Sequence, residues 1–151
     1  MALHVGDIAP AFSLPSTDGS MVSLKDLGGK KVVLYFYPKD DTPGCTKEAC
    51  SFTDNLARVR SKGAVIYGVS ADSVKSHQKF TEKYKLAFPL LSDESKEMIK
   101  SYGVWKLKSF LGKKYMGIER TTFIIDEKGR IAWIFPKVKV AGHTAEVMEK
   151  L

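Results

Sequence analysis

Lys31-Val32-Val33-Leu34-Tyr35-Phe36-Tyr37-Pro38-Lys39-Asp40-Asp41-Thr42-Pro43-Gly44-Cys45-Thr46-Lys47-Glu48-Ala49-Cys50 is the stretch that decides how this chain is read. Residues 31–37 are apolar, β-branched and aromatic, as a buried strand requires, whereas 48–62 carry helix-type spacing. Both cysteines of the chain therefore follow a strand and open a helix. Thr42 suits the N-cap, and Pro43 suits the first helical position, where a missing N–H costs nothing. Cys45 then lies in the first turn. Unpaired backbone N–H groups and the positive end of the helix dipole stabilise a thiolate there, and the thiolate is the reactive form. The competing reading is a small buried core cysteine, which the flanking cap and turn residues disfavour.

Cys50 follows Cys45 by five positions, so a regular helix separates them by roughly 140° of rotation and about 7.5 Å of rise. A disulfide needs Cα atoms within about 7 Å, so joining these sulfurs requires the first helical turns to unwind. The expectation is a reduced form that keeps the helix and an oxidised form that loses part of it.

Pro38, Thr42, Cys45, Thr46 and Glu48, with a second cysteine at position 50, closely resemble the active-site signature of peroxiredoxins. The five-residue spacing is similar to that of the Q subfamily, also called bacterioferritin-comigratory proteins. Further blocks carry the likeness along nearly the whole chain. Val5-Gly6-Asp7-Ile8-Ala9-Pro10-Ala11-Phe12 resembles the family's opening, Phe88-Pro89-Leu90-Leu91-Ser92-Asp93 its central segment, and Arg120-Thr121-Thr122-Phe123-Ile124-Ile125-Asp126 its arginine-bearing strand.

The resemblance implies roles at matching positions. Cys45 falls at the peroxidatic position, which attacks a peroxide oxygen and becomes a sulfenic acid. Cys50 falls at the resolving position, which condenses with that sulfenic acid to an intramolecular disulfide. Thr42 matches the threonine whose hydroxyl bonds at the reacting site, Pro38 the proline that shields the pocket, Arg120 the family arginine, and Glu48 an orienter of that arginine. Chemistry supports the same set, because thiolate attack on an O–O bond moves negative charge onto the departing oxygen and needs donors aimed at it. Arginine offers a planar fork of fixed donors that stays charged, and lysine would be a poor substitute. Without the likeness, Arg120 beside Glu119 would read as surface charge.

Composition fits one domain, 1–151, with its own core: 151 residues, 16.8 kDa and 44% hydrophobic residues. Residues 1–7 lack a basic segment followed by an apolar run, and no stretch is apolar enough to span a membrane, so the expected location is cytoplasmic. Two cysteines in a reducing compartment read as a catalytic or sensing pair rather than a structural bridge. The formal charge of +7 raises the question of nucleic acid or membrane partners, but Lys30, Lys31, Lys106, Lys108, Lys113, Lys114, Lys137 and Lys139 are scattered, without a recognisable binding module. They read as solvated surface, or as steering for an acidic reductase. No metal is expected, since His4, His77 and His143 are far apart and form no zinc-type set with the cysteines. A Cys45–His143 pair would require the fold to join them. Gly28-Gly29 lacks the pattern of a phosphate loop.

Outward from the opening stretch, strand and helix alternate. Residues 11–14 and 21–24 flank a hairpin-like Asp18-Gly19, and 32–37 form the first core strand. The cysteine-bearing helix runs to near Gly63, and 64–70 form the next strand. Asp72 or Ser73 caps a helix to about Lys85, with Val74, Phe80 and Tyr84 facing inward, and a shorter helix covers 95–102. Residues 104–117 read as a loop over the active site. Strands at 121–125 and 131–135 flank a turn at Asp126-Glu127-Lys128-Gly129, and a last helix begins near Thr144. The expected architecture is α/β: a thioredoxin-like fold with a central mixed sheet flanked by helices and an N-terminal β-hairpin extension.

The function expected is a thiol-dependent peroxidase acting on hydrogen peroxide and small organic hydroperoxides, with no prosthetic group. By resemblance its reductant is thioredoxin or a related dithiol protein, and Q-type members are more often monomers than rings. Two alternatives stay open. A thiol-disulfide oxidoreductase normally spaces its cysteines by two residues, against four here. A non-enzymatic peroxide sensor would use helix unwinding to expose a partner surface.

Overall fold

The computed structural model describes residues 2–151. Its centre is the strand of the opening stretch, β3 (Lys31–Phe36), preceded by the short strands β1 (Ser13–Pro15) and β2 (Met21–Ser23), which pair antiparallel as the N-terminal hairpin. A 3-10 turn at Leu24–Leu27 leads into β3. After β3 come α1 (Pro43–Asp54), α2 (Leu56–Ser61), β4 (Ala64–Ser70), α3 (Val74–Tyr84), β5 (Leu90–Ser92) and α4 (Glu97–Ser101). The chain then forms β6 (Trp105–Phe110), β7 (Lys113–Ile118), β8 (Thr121–Ile125), β9 (Ile131–Phe135) and α5 (His143–Lys150).

The main sheet has the order β5-β4-β3-β8-β9. β3 runs parallel to β4, and β4 to β5, through the helical crossovers, while β8 pairs antiparallel with β3 and β9 antiparallel with β8, so the expected mixed sheet forms. β3 sits in the middle and is buried on both sides, which is why it reads as continuous apolar sequence rather than as an alternation. Val32, Leu34 and Phe36 join the core on one face with Ile99 and Tyr102. Val33, Tyr35 and Tyr37 join the other, against Cys45, Ala49 and Phe52 of α1, Phe80 of α3 and Val147 of α5. Gly68 interrupts the apolar run of β4 because Tyr35 lies across it. A Cβ there would come within 2.8 Å of the tyrosine ring.

Two expectations are corrected. The cysteine-bearing helix is not continuous to Gly63. It breaks at Asn55 (φ −106°, ψ 8°), whose side-chain amide donates to the Ser51 carbonyl at 2.8 Å and competes with the helical ladder. Residues 104–117 are mostly a hairpin rather than a loop, with β6 and β7 paired from Trp105↔Ile118 to Phe110↔Lys113. Its turn, Leu111-Gly112, holds both residues at positive φ, +51° and +79°, as a tight I′ turn requires, without the Asn-Gly or Asp-Gly that usually announces one. Leu107, Phe110, Leu111, Tyr115 and Met116 are exposed, so no buried face imposes the alternation that marks a strand. Helix α3 also buries His77, which the sequence reading had not placed inward, beside the expected Phe80. Val74 and Tyr84 are half-buried. Among the described residues no helix is long and apolar enough to cross a membrane.

Candidate active site

The link from β3 to α1 carries the reactive stretch off the C-terminal end of the sheet's middle strand. Tyr37 continues the buried strand, Pro38 is half-buried, and Asp41 adopts a left-handed conformation (φ 56°) that turns the chain into the helix. Thr42 is the N-cap by conformation (φ −105°, ψ 154°), and Pro43 is the first helical residue, as expected. The cap bond itself differs: the Thr42 hydroxyl donates to the Lys39 carbonyl at 2.9 Å and makes no bond to the helix N–H groups. Its proton is thus committed, and its oxygen lone pairs remain free to accept.

Cys45 is third in α1 and 1% exposed, so its sulfur sits at the floor of the N-terminal turn rather than on the surface. Arg120, in the link between β7 and β8, reaches over that turn from 75 residues further along the chain. Its Nη2 donates to Cys45 Sγ at 3.2 Å and its Nη1 to Glu48 Oε1 at 2.7 Å. The Glu48 carboxylate stands one helical turn beyond Cys45 on the same face, which is what places both within one guanidinium fork. Gly44 makes the approach possible, because a Cβ there would meet Nη2 at 3.2 Å. The fold therefore brings Cys45, Glu48 and Arg120 together in the helix that Thr42 opens.

Electrostatics follow from the burial. Glu48 is 1% exposed and its Oε2 has no hydrogen-bond partner among the described residues. Burial raises its pKa to about 7, against the pull of Arg120. Burial would lower the Arg120 value, but Glu48 and Cys45 outweigh it and hold the guanidinium charged. Lys108, read from sequence as scattered surface charge, is a second cation of this region. Its Nζ donates to the Ile118 carbonyl at 2.7 Å, and its pKa is lowered by burial and by Arg120.

Cys50 lies further along α1, half-buried, and both thiols are free. Burial pushes its thiol up, and the Asp54 carboxylate adds to the shift. His143 is not joined to Cys45: its Nε2 pairs with the Thr122 hydroxyl at 2.8 Å, and its ring packs edge-on against Phe52 and Phe135. Burial, and then Arg120, lower its pKa to about 4.

A second polar group behind the reactive loop was not legible in the sequence. Asp40, Asp72 and His77 each bring one side-chain oxygen or nitrogen within 4.8 Å of the others; His77 Nδ1 pairs with Asp40 Oδ2, and Asp72 Oδ2 accepts from the Asp40 backbone N–H and the Ser70 hydroxyl. The only local signal was the buried face of α3 on which His77 falls, four residues after Ser73, whose side chain caps that helix.

Three comparisons locate this arrangement among known proteins. The model of the AhpC/TSA family matches residues 5–134. A putative peroxiredoxin bcp of Coxiella burnetii is 58% identical over 151 residues, covering 100% of each chain, and peroxiredoxin Bcp of Bacillus subtilis is 49% identical over 151 residues, covering 100% of this chain and 96% of its own. A solved structure of Xanthomonas campestris bacterioferritin comigratory protein, described for its alkyl peroxide reduction activity, superposes with a TM-score of 0.87 at 42% identity, covering 91% of this chain and 88% of that one.

Proposed function

Because the chain belongs to the AhpC/TSA family, within it to the peroxiredoxin Bcp group with its thioredoxin-like fold, and is accordingly a thiol-dependent peroxidase, we propose that Cys45 is its peroxidatic thiol and Cys50 its resolving thiol. The observation that carries the assignment is the fork of Arg120, bonded at once to Cys45 Sγ and Glu48 Oε1.

In the first step the Cys45 thiolate attacks one peroxide oxygen. An S–O bond forms, the O–O bond breaks, and the departing oxygen leaves as an alcohol or water after taking a proton. Arg120 and the N-terminal N–H groups of α1 face the charge that develops, and the Thr42 lone pairs accept a hydrogen bond from the hydroperoxide O–H. In the second step the Cys50 thiolate attacks the sulfenic sulfur, water is lost, and a Cys45–Cys50 disulfide forms. A dithiol protein of the thioredoxin type, the reductant the family implies, then takes up the disulfide and becomes oxidised itself. We read thioredoxin or a close relative in this role, residues 1–151 as one domain, the working form as a monomer and its compartment as the cytoplasm. Hydrogen peroxide and small organic hydroperoxides fit a nearly buried sulfur that a guanidinium faces.

Intact mass after one equivalent of hydrogen peroxide tests the assignment, alongside NADPH oxidation with thioredoxin and its reductase. Loss of two hydrogens per chain, a mapped Cys45–Cys50 link and sustained NADPH oxidation are expected. A sulfenic acid on Cys50, or an unchanged mass, would overturn it.

A further inference from the structure

We propose that Asp40 and His77 form a positioning pair that holds the reactive loop in register with Arg120. The proposal rests on the reading of Cys45 as the peroxidatic thiol. Asp40 sits two residues before Thr42, with its side chain only 4% exposed, and His77 is fully buried. Tyr37 Oη donates to Asp40 Oδ1 at 2.6 Å, Ser76 Oγ donates to Oδ2 at 2.8 Å, and His77 Nδ1 meets Oδ2 at 2.7 Å. The other ring nitrogen, Nε2, lies 2.9 Å from the Leu91 carbonyl. A carbonyl only accepts, so Nε2 carries a hydrogen, and a single proton is held between Nδ1 and Oδ2. The backbone N–H of Asp40 is also fixed, donating to Asp72 Oδ2 at 2.9 Å.

Asp40 thus ties the reactive loop to Tyr37 just past β3, to α3 and to the link between β4 and α3, and His77 extends the tie to β5. What that registers is specific. The Thr42 hydroxyl takes its orientation from the Lys39 carbonyl, next to Asp40 in the chain, and the guanidinium clears Gly44 with no more than contact distance to spare. A shift of the loop by about 1 Å would therefore pull Thr42 and Cys45 away from the Arg120 fork, a displacement that typically costs up to about 100-fold in rate. Asp41 also bonds α3, through Lys83 and Tyr84, but that ion pair is exposed, with side chains 42% and 58% accessible, and contributes little.

The test is stopped-flow oxidation by hydrogen peroxide, read per folded chain at a temperature where circular dichroism shows each variant native. Asp40→Asn and His77→Gln are each expected to slow the second-order rate at least about tenfold, and the double variant no more than the worse single, since a pair acting as a unit is not additive. The ultraviolet titration of the Cys45 thiolate should move up relative to the parent, because the sulfur is drawn away from the guanidinium that donates to it. Tyr37→Phe, which keeps the ring and loses one bond to Asp40, should fold even if the others do not and should slow the rate about threefold. Lys83→Ala should remain within about twofold. Rates within twofold of the parent for all Asp40, His77 and Tyr37 variants would overturn the proposal, as would slowed variants whose Cys45 titration is unmoved. If Cys45→Ser oxidises as fast as the parent, the reading of the site has failed instead, whatever the pair does.

Discussion

Cys45 and Cys50 share one helix, yet they live in different environments. Cys45 is buried in the first turn, bonded to Arg120 and backed by a loop tied down at Asp40. Cys50 is half-buried, its thiol pushed up by its surroundings, and the helix that carries it breaks five residues later at Asn55. On the proposed roles of the two thiols, the difference is a division of labour between rigidity and freedom. Attack on peroxide needs donors in place beforehand, because a preorganised site avoids reorganisation at the moment of reaction. Resolution needs the opposite, since the two sulfurs cannot meet while the helix is intact. A helix with a fixed start and an interrupted end serves both.

Removing the rigid end should have the largest effect. Cys45→Ser is expected to abolish peroxide turnover, with NADPH oxidation at the background rate. Arg120→Lys keeps the charge but cannot serve Sγ and Glu48 in one plane, and should lower the oxidation rate constant about 100-fold or more in stopped flow. A full rate with lysine would mean that the fork contributes charge alone.

Removing the free end should act on a later step. Cys50→Ser is expected to consume one peroxide per chain at the parent rate, then to turn over at least about tenfold more slowly with thioredoxin and to accumulate sulfinic acid on Cys45, visible as a mass gain. Undiminished turnover would show that another thiol resolves the sulfenic acid. A smaller signal comes from the helix. Far-ultraviolet circular dichroism should lose helical intensity when the parent is oxidised by peroxide, and Cys50→Ser should lose none. Equal spectra for reduced and oxidised parent would contradict unwinding of α1.

The same contrast explains what could be read in advance. β3, β4, β8 and β9 were legible because burial on both faces or one leaves a pattern in the residue types. Cys45, Cys50, Thr42 and Arg120 were singled out by a motif in which local geometry and chemistry agree, although Arg120 alone looks like surface charge, and their roles are those proposed above. The β6–β7 hairpin was misread because its stability lies in backbone pairing and a Leu-Gly turn, with the side chains in solvent. The Asp40–His77 contact joins residues 37 positions apart, and no periodicity encodes it. Thr42 is the N-cap that its residue type suggests, but the Lys39 carbonyl that takes its hydroxyl proton has no signal in the sequence.

The smallest expected effect sets the two sides of α1 against each other in stability rather than rate. Glu48, beside Cys45, has its pKa raised to about 7, whereas His143, against Phe52 beyond Cys50, has its pKa lowered to about 4. The folded state therefore binds more protons than the unfolded one at Glu48 between about pH 4.5 and 7, so that group's contribution is present at low pH and is lost as pH rises through 7. At His143 the unfolded state binds more between about pH 4 and 6.5, so its contribution is present above 6.5 and is lost as pH falls through 4. The two slopes oppose each other and largely cancel in the parent over the shared window. Glu48→Gln should unmask the histidine, with stability relative to the parent rising with pH by roughly 1 kcal/mol per unit between 4.5 and 6.5. His143→Asn, which retains a group able to bond Thr122, should show the reverse slope. Urea unfolding at several pH values reads both, and three parallel stability curves would mean that these two groups titrate alike in the folded and unfolded chain.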